Sequence, residues 1–243
     1  MHARANATKA KTRPERLKGE RLMRKTLIRP ETMARDSGAM QAESRCAERV
    51  SLLPRQFYAR RTLVVARDLL GMHLVRDDEG TRRVGRIVEV EAYQGPQDLA
   101  AHSARGRTAR NDVMFGPPGH AYVYFIYGFW YCMNVVVREE GVPHAVLIRA
   151  LEPVEGITDK TWGPGLLCRA MNIDRSLNGT DLLGNKLWLE RPATRKPVRV
   201  ARATRIGVDY SGDWAKKPWR FYDRDSPYVS TASAAVRKRA GAK

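Results

Sequence analysis

The clearest alternation of apolar and polar positions runs from Val84 to Tyr93, Val-Gly-Arg-Ile-Val-Glu-Val-Glu-Ala-Tyr. Successive side chains of a strand point to opposite faces. Val84, Val88, Val90 and Ala92 therefore share one face, with Arg86 near its start, and Ile87, Glu89, Glu91 and Tyr93 share the other. A carboxylate-and-tyrosine row behind an apolar row fits a half-buried strand with a solvated acidic edge. It also fits a strand lining a cleft, with one glutamate as general base. The stretch by itself leaves both readings open.

The neighbouring patterns supply the setting. Thr62 is placed to cap a helix through Leu63, Val65, Ala66, Leu69 and Leu70, closed by Gly71 as its C′ residue. His73–Arg76 reads as a short strand and Asp77–Gly80 as a turn. Residues 94–120 form a long connection with Gly95-Pro96, three arginines (Arg105, Arg107, Arg110) and Gly116-Pro117-Pro118-Gly119. Such a loop inside a domain is usually functional or disordered, and it is not a phosphate-cradling P-loop, because no Gly-Lys-Ser/Thr follows its glycines. Residues 121–127 and 129–137 read as a hairpin with its tip near Tyr127-Gly128. A strand over His144–Leu151 sets Arg149 opposite Val146, Ile148 and Ala150, where it calls for a carboxylate such as Glu91 or Glu152. Pro164-Gly165 open a short helix, Lys186–Glu190 forms a strand, and residues 197–202 alternate apolar with basic as an exposed strand does.

Composition changes this picture in two ways. Over 243 residues the formal net charge is +18 and 43% of residues are hydrophobic, enough for a core yet too basic for a chain without an anionic partner, of which nucleic acid is the commonest. The texture divides the chain into a disordered basic tail over 1–52, one domain over 53–231, and a basic tail over 232–243. Cys46, Cys132 and Cys168 lie far apart with no Cys/His spacing suited to zinc, which predicts a reduced compartment and no metal. No run of about 18 apolar residues is present, so no membrane span or membrane partner is expected.

Candidate chemistry then concentrates in few places. The hairpin tip of Tyr127, Phe129 and Trp130 is more aromatic than a solvated turn, and exposed rings beside a basic loop suit stacking or wedging between bases. Trp214-Ala-Lys-Lys-Pro-Trp-Arg-Phe-Tyr likewise interleaves rings with cations, Lys217 among them. Asn134, among Cys132, Met133 and Val135, is a buried amide in need of hydrogen-bond partners.

Taken in order, several segments resemble the alkyladenine (3-methylpurine) DNA glycosylase family over nearly all of residues 55–230: Ala66–Gly71, Arg86–Tyr93, Ala101-His102-Ser103, Tyr122-Val123-Tyr124, Tyr127-Gly128, Cys132-Met133-Asn134, Leu147–Pro153, Gly163-Pro164-Gly165, Arg205–Tyr210 and Trp214–Pro218. The resemblance implies a mixed α/β (α+β) fold: one domain with a curved, mainly antiparallel sheet flanked by helices, and a protruding hairpin that inserts into DNA. It implies hydrolysis of the N-glycosidic bond of alkylated or deaminated purines in duplex DNA, without metal, cofactor or lyase step. By the same resemblance Glu91 is the general base, and Arg149 and the carbonyl of Ile206 position its water. Tyr93, His102 and Tyr124 hold the flipped base, Asn134 rejects normal guanine, and Tyr127 is the wedge. Phe129 and Trp130 follow it along the groove, and Arg107, Arg110 and Lys217 meet the backbone. The expected partner is duplex DNA with damaged purines, met by a monomer in the cytoplasm or nucleoid of a bacterium or the nucleus of a eukaryote, and no signal peptide is expected. Phe129, Trp130, Ala109 and Ile206 depart from the commoner family residues.

Two other functions suit parts of this pattern. A non-catalytic lesion-binding protein on the same scaffold needs the basic face and the rings but has no use for Glu91. An RNA-binding module explains charge and aromatics but not Glu91 with Arg149.

Overall fold

In the computed structural model, which describes residues 52–242, two short helices come first, α1 (Arg55–Tyr58) and α2 (Thr62–Leu69). Six strands make the body of a sheet: β1 (His73–Asp78), β2 (Thr81–Tyr93), β3 (Ala121–Ile126), β4 (Trp130–Val137), β5 (His144–Glu155) and, after helix α3 (Pro164–Ala170), β6 (Leu187–Glu190). β7 (Val200–Ala203), β8 (Arg220–Asp223) and helix α4 (Ala234–Arg239) complete the order. The strands run β3-β4-β5-β2-β1-β6, with β8 on β2 and β7 on β8. Every pairing is antiparallel. The result is a single α+β domain with a curled antiparallel sheet and few helices. Residues 1–51 of the expected basic tail lie outside the described residues.

β2 is the axis. β5 lies along one of its edges, while the other is shared by β1 over residues 81–86 and β8 over residues 89–91. A strand hydrogen-bonded on both sides has no free edge to solvate. The solvated-edge reading therefore fails, and Glu89 and Glu91 are both fully buried.

Strict alternation also fails, most consequentially at two adjacent bulges. The pairing of β2 with β5 steps from Ile87↔Leu151 to Glu89↔Ala150, so Val88 is an extra residue. It then steps to Val90↔Ile148, which makes Arg149 extra on β5. Each bulge switches the faces on its own strand. Ile87 thereby joins the core cluster of Val90 and Ala92 rather than the face of the glutamates, and Val88 drops out of that cluster. The same switch on β5 puts Leu151 into the core with Val146 and Ile148. Two bulges side by side aim Arg149 at the carboxylates of β2.

The helices cover the core. α2 packs on β2 and β5, and α3 on β4 and β5. The cap expected of Thr62 does not form. Thr62 is the first residue of α2, and its hydroxyl instead meets His144 Nδ1 at 2.7 Å. Gly71 does follow the helix with φ +81°, a left-handed conformation that favours glycine, and it donates to the Ile87 carbonyl at 2.8 Å. The hairpin loop is two residues longer than its apolar run suggests, because each strand is one residue shorter at the tip: Ile126 pairs with Trp130 across Tyr127-Gly128-Phe129, and Tyr127 itself has φ +54°.

The long connection is not structureless. It folds into three 3₁₀ turns, Gly95–Gln97, His102–Arg105 and Asp112–Phe115. Asn111 pins it by donating to the carbonyls of His102 and Gly106, each at 2.9 Å. Within the expected C-terminal tail, Ser233 accepts from Val236 N and starts α4. Arg237 of that helix lies 4.6 Å from the Trp162 ring centre and donates to the carbonyls of Val229 and Ser230.

Candidate active site

The glutamate face of β2 opens into a cavity of about 590 Å³, within the usual range for small-molecule sites. Glu91 of β2, Arg149 and Leu147 of β5 and Asn134 of β4 are among its buried lining residues. Tyr93, Tyr122, Tyr124 and His102 contribute rings. Tyr127, Tyr210 and Ile206 stand at the mouth, 77%, 73% and 39% exposed. Seven residues expected from the sequence to act together thus line one space: Glu91, Arg149, Ile206, Tyr93, His102, Tyr124 and Asn134.

The two glutamates separate by their partners. Glu89 accepts from Arg220 Nη1 at 2.8 Å, Ser230 N at 2.7 Å and Ser230 Oγ at 3.0 Å. It ties β2, β8 and the segment before α4 together and is spent on structure. Glu91 Oε1 accepts from the Ile206 amide at 2.8 Å and lies 3.3 Å from Arg149 Nη1. Oε2 accepts from the Tyr93 hydroxyl at 2.9 Å. A carboxylate oxygen has two lone pairs, so Oε2 keeps accepting capacity on the cavity side. Arg149 Nε lies 3.5 Å from Glu89 Oε1, so one guanidinium serves both acids. Glu152, the other partner considered for Arg149, is held by Arg86 and Lys196 instead.

Arg149 favours the charged form of Glu91, as expected from the sequence, but burial outweighs it: desolvation raises the Glu91 pKa above the ordinary carboxylate value, against the lowering by Arg149, the Ile206 amide and Tyr93. A raised pKa makes the carboxylate a stronger base once ionised. It also fixes the sign of a pH response. Ionised Glu91 accumulates as pH rises through its raised pKa, so a rate that needs the carboxylate falls on the acid side with a midpoint above about 4.3, the unperturbed value. A pH series of single-turnover rates checks this, and a midpoint at or below the unperturbed value contradicts it.

The rings are set by neighbours distant in sequence. His102 Nδ1 is 2.8 Å from the Tyr122 hydroxyl, and its ring centre is 4.4 Å from that of Tyr124 at an interplanar angle of 70°. Although the His102 side chain reaches the surface, desolvation of its enclosed part, with the charge of Arg110, pushes its pKa down to about 4. The imidazole is neutral at pH 7. Burial likewise raises Tyr93 and Tyr124 well above the ordinary phenol value, so both remain hydroxyl donors. Asn134 is buried and donates to the Tyr122 carbonyl at 3.1 Å.

Trp130 lines the cavity too, seated against Gly165 of α3 so closely that a Cβ there would stand 2.7 Å from the indole. Phe129 is 67% exposed and lies outside the lining. Of the three expected cation contacts, Arg110 is nearest the site, donating to the Phe125 carbonyl at 3.1 Å with its guanidinium 5.6 Å from the Tyr124 ring centre. Arg107 is exposed and bonded to Asp112 at 2.5 Å, and Lys217 is exposed 5.7 Å from the Trp214 ring centre. Trp219, read from the sequence as a stacking ring, packs against the core. Sequence reasoning missed Tyr122, which orients His102, and Tyr210, which shares the mouth. Tyr122 sits among resemblance residues on an alternating strand, yet only the fold reveals its hydroxyl contact.

Comparison with known proteins identifies the family. Residues 56–227 match the family described as methylpurine-DNA glycosylase (MPG). A protein of Legionella pneumophila (strain Corby) is 54% identical over 178 residues, covering 73% of this chain and 97% of its own. One from Anaeromyxobacter sp. (strain Fw109-5) is 56% identical over 182 residues, 74% and 93% of the two chains. One from Myxococcus xanthus (strain DK1622) is 53% identical over 190 residues, 77% and 97%. All three carry the name "Putative 3-methyladenine DNA glycosylase". The fold, the site and these matches define a DNA glycosylase, a DNA-binding hydrolase of base excision repair. More particularly, the chain belongs to the methylpurine-DNA glycosylase family.

Proposed function

We propose that the protein flips an alkylated or deaminated purine out of duplex DNA and hydrolyses its N-glycosidic bond with water activated by Glu91. The products are the free base and an abasic site in an uncut strand. The single observation that carries this reading is the Glu91 carboxylate, fully buried yet with unfilled accepting capacity in a ring-lined cavity. Burying a charge costs several kcal/mol, which a protein that only binds lesions has no reason to spend there.

In this mechanism Glu91 takes a proton from water as the oxygen adds to C1′ of the deoxyribose and the N-glycosidic bond breaks, its electron pair leaving with the purine: a cationic alkylated purine departs as the neutral base, and a neutral deaminated one takes up a proton from solvent. Arg149 and the Ile206 backbone orient carboxylate and water. Tyr93, Tyr124 and neutral His102 pack on the flipped base, and Asn134 excludes normal guanine. Arg110, Arg107 and Lys217 meet phosphates, and the chain acts as a monomer, with no metal or cofactor in any step.

Extruding a base costs a few kcal/mol, which Tyr127 offsets by filling the vacated stack. Its 77% exposure at the hairpin turn beside the cavity mouth supports that role. One stacked ring is worth about 1–3 kcal/mol. Tyr127→Ala is therefore expected to weaken flipping about tenfold to a hundredfold, read as lost fluorescence enhancement of a 2-aminopurine beside the lesion. Unchanged fluorescence and rate would remove the wedge role.

A further inference from the structure

Behind the cavity, and outside its lining, lies an ion pair that the mechanism has not used. The side chains of Asp98 and Arg205 are both fully shielded from solvent. Arg205 Nη2 donates to Asp98 Oδ1 at 2.8 Å and to the Trp214 carbonyl at 3.0 Å. Nη1 donates to Asp98 Oδ2 and, at 3.0 Å, to the carbonyl of Ala92, the residue between Glu91 and Tyr93. The guanidinium carbon lies 4.8 Å from the Tyr93 ring centre and 5.1 Å from that of Trp219. Asp98 in turn accepts from the amides of Gln94 at 3.2 Å and Ala100 at 3.1 Å, shaping the turn that follows β2.

One buried pair thus joins three segments: the end of β2, the loop from Gln94 to Ala100, and the run from Arg205 to Trp214. Each carries part of the site. Glu91 and Tyr93 are on the first, Ala100 lines the cavity from the second, and the Ile206 amide that holds Glu91 Oε1 is the residue after Arg205. Apolar residues of similar size generally stabilise a core as well as a buried ion pair does, or better. A bidentate guanidinium–carboxylate fork, by contrast, fixes direction as well as distance.

Resting on the reaction proposed above, we infer that Asp98 and Arg205 are positioning residues, which hold the Ile206 amide and the Tyr93 ring in register with the Glu91 carboxylate. They touch neither base nor water. Their effect is on how well the base is aimed, and a misplacement of about 1 Å can cost a hundredfold in rate.

The test compares wild type, Asp98→Asn and the double variant Asp98→Leu/Arg205→Met on duplexes carrying one damaged purine. Single-turnover base release is corrected for active fraction, alongside duplex affinity, thermal stability and the pH dependence of the rate. Asp98→Asn is expected to slow base release about tenfold to a hundredfold with affinity held. Its acid limb is expected to move to higher pH, because the Ile206 hydrogen bond that favours ionised Glu91 is loosened. The double variant is expected to recover stability while release stays slow and the limb stays displaced. If the double variant restores both rate and limb, the pair only supports the fold and the inference is overturned. It is overturned equally if neither variant folds, or if Asp98→Asn keeps the wild-type rate and limb. Wild type that releases no damaged base refutes the proposed reaction rather than the pair.

Discussion

Glu91→Gln is expected to bind a lesion-containing duplex as wild type does and to leave the damaged base attached. Gln has nearly the shape of Glu and can accept at Oε1 from the Ile206 amide, the bond seen at 2.8 Å, but it cannot take a proton from water. A positioned general base is worth about a hundredfold to ten-thousandfold in rate, and single-turnover base release should fall by that amount. Stability should not fall with it. Burial raises the folded-state pKa of Glu91, so near that pKa the folded protein binds more protons than the unfolded chain. Unfolding free energy then decreases as pH rises through it, and the ionised carboxylate is a burden on the fold at pH 7 that Gln removes. A variant with lost activity and a lower melting temperature would indicate a structural carboxylate instead.

Arg149→Met carries the second strong expectation, in the opposite direction for stability. Arg149 lies 3.3 Å from Glu91 and 3.5 Å from Glu89, so its removal leaves two buried acids without the cation they share. Breaking a buried pair by removing one partner costs about 3–5 kcal/mol. Urea unfolding should show a loss of that order at unchanged m-value. Arg149 is also the largest influence lowering the Glu91 pKa, so the acid limb of the rate should move upward in the variant. The two effects have a common cause, which a double-mutant cycle isolates. In the Glu91→Gln background the Arg149→Met loss should shrink by about 1 kcal/mol or more, within the range for contacting residues. An equal loss in both backgrounds would mean that Arg149 serves Glu89 alone.

How far the sequence reaches is clearest along β2. Periodicity placed the strand, and the resemblance singled out Glu91 over Glu89. Periodicity could not place the bulges at Val88 and Arg149, because a bulge depends on the partner strand and leaves no mark in the alternation of one strand. The faces assigned to Ile87 and Val88 were wrong for that reason, and the aim of Arg149 at both glutamates was out of reach. The hairpin, β5 and α3 were visible from local chemistry: glycine at a turn, alternation, and proline at a helix start. The 3₁₀ turns between Gly95 and Phe115 were not, since Asn111 and Asp98 hold them through carbonyls, amides and an arginine far away in sequence. Asp98 and Arg205 are 107 residues apart, a separation at which no local signal operates. The Glu91 pKa follows the same logic. Its charged neighbour was nameable from sequence, whereas the desolvation that outweighs it belongs to the closed fold.

The reaction itself is tested most directly by its products. Wild-type protein is incubated with a duplex carrying a single 3-methyladenine or hypoxanthine. Released base is identified by mass spectrometry, and the strand is sized with and without alkali. A borohydride-trapping arm detects any covalent enzyme–DNA intermediate. The prediction is free damaged base, a strand that breaks only after alkali, no trapped adduct, and none of these products with Glu91→Gln. Base that stays attached, a strand cut without alkali, or a borohydride-trapped adduct would contradict hydrolysis by Glu91-activated water.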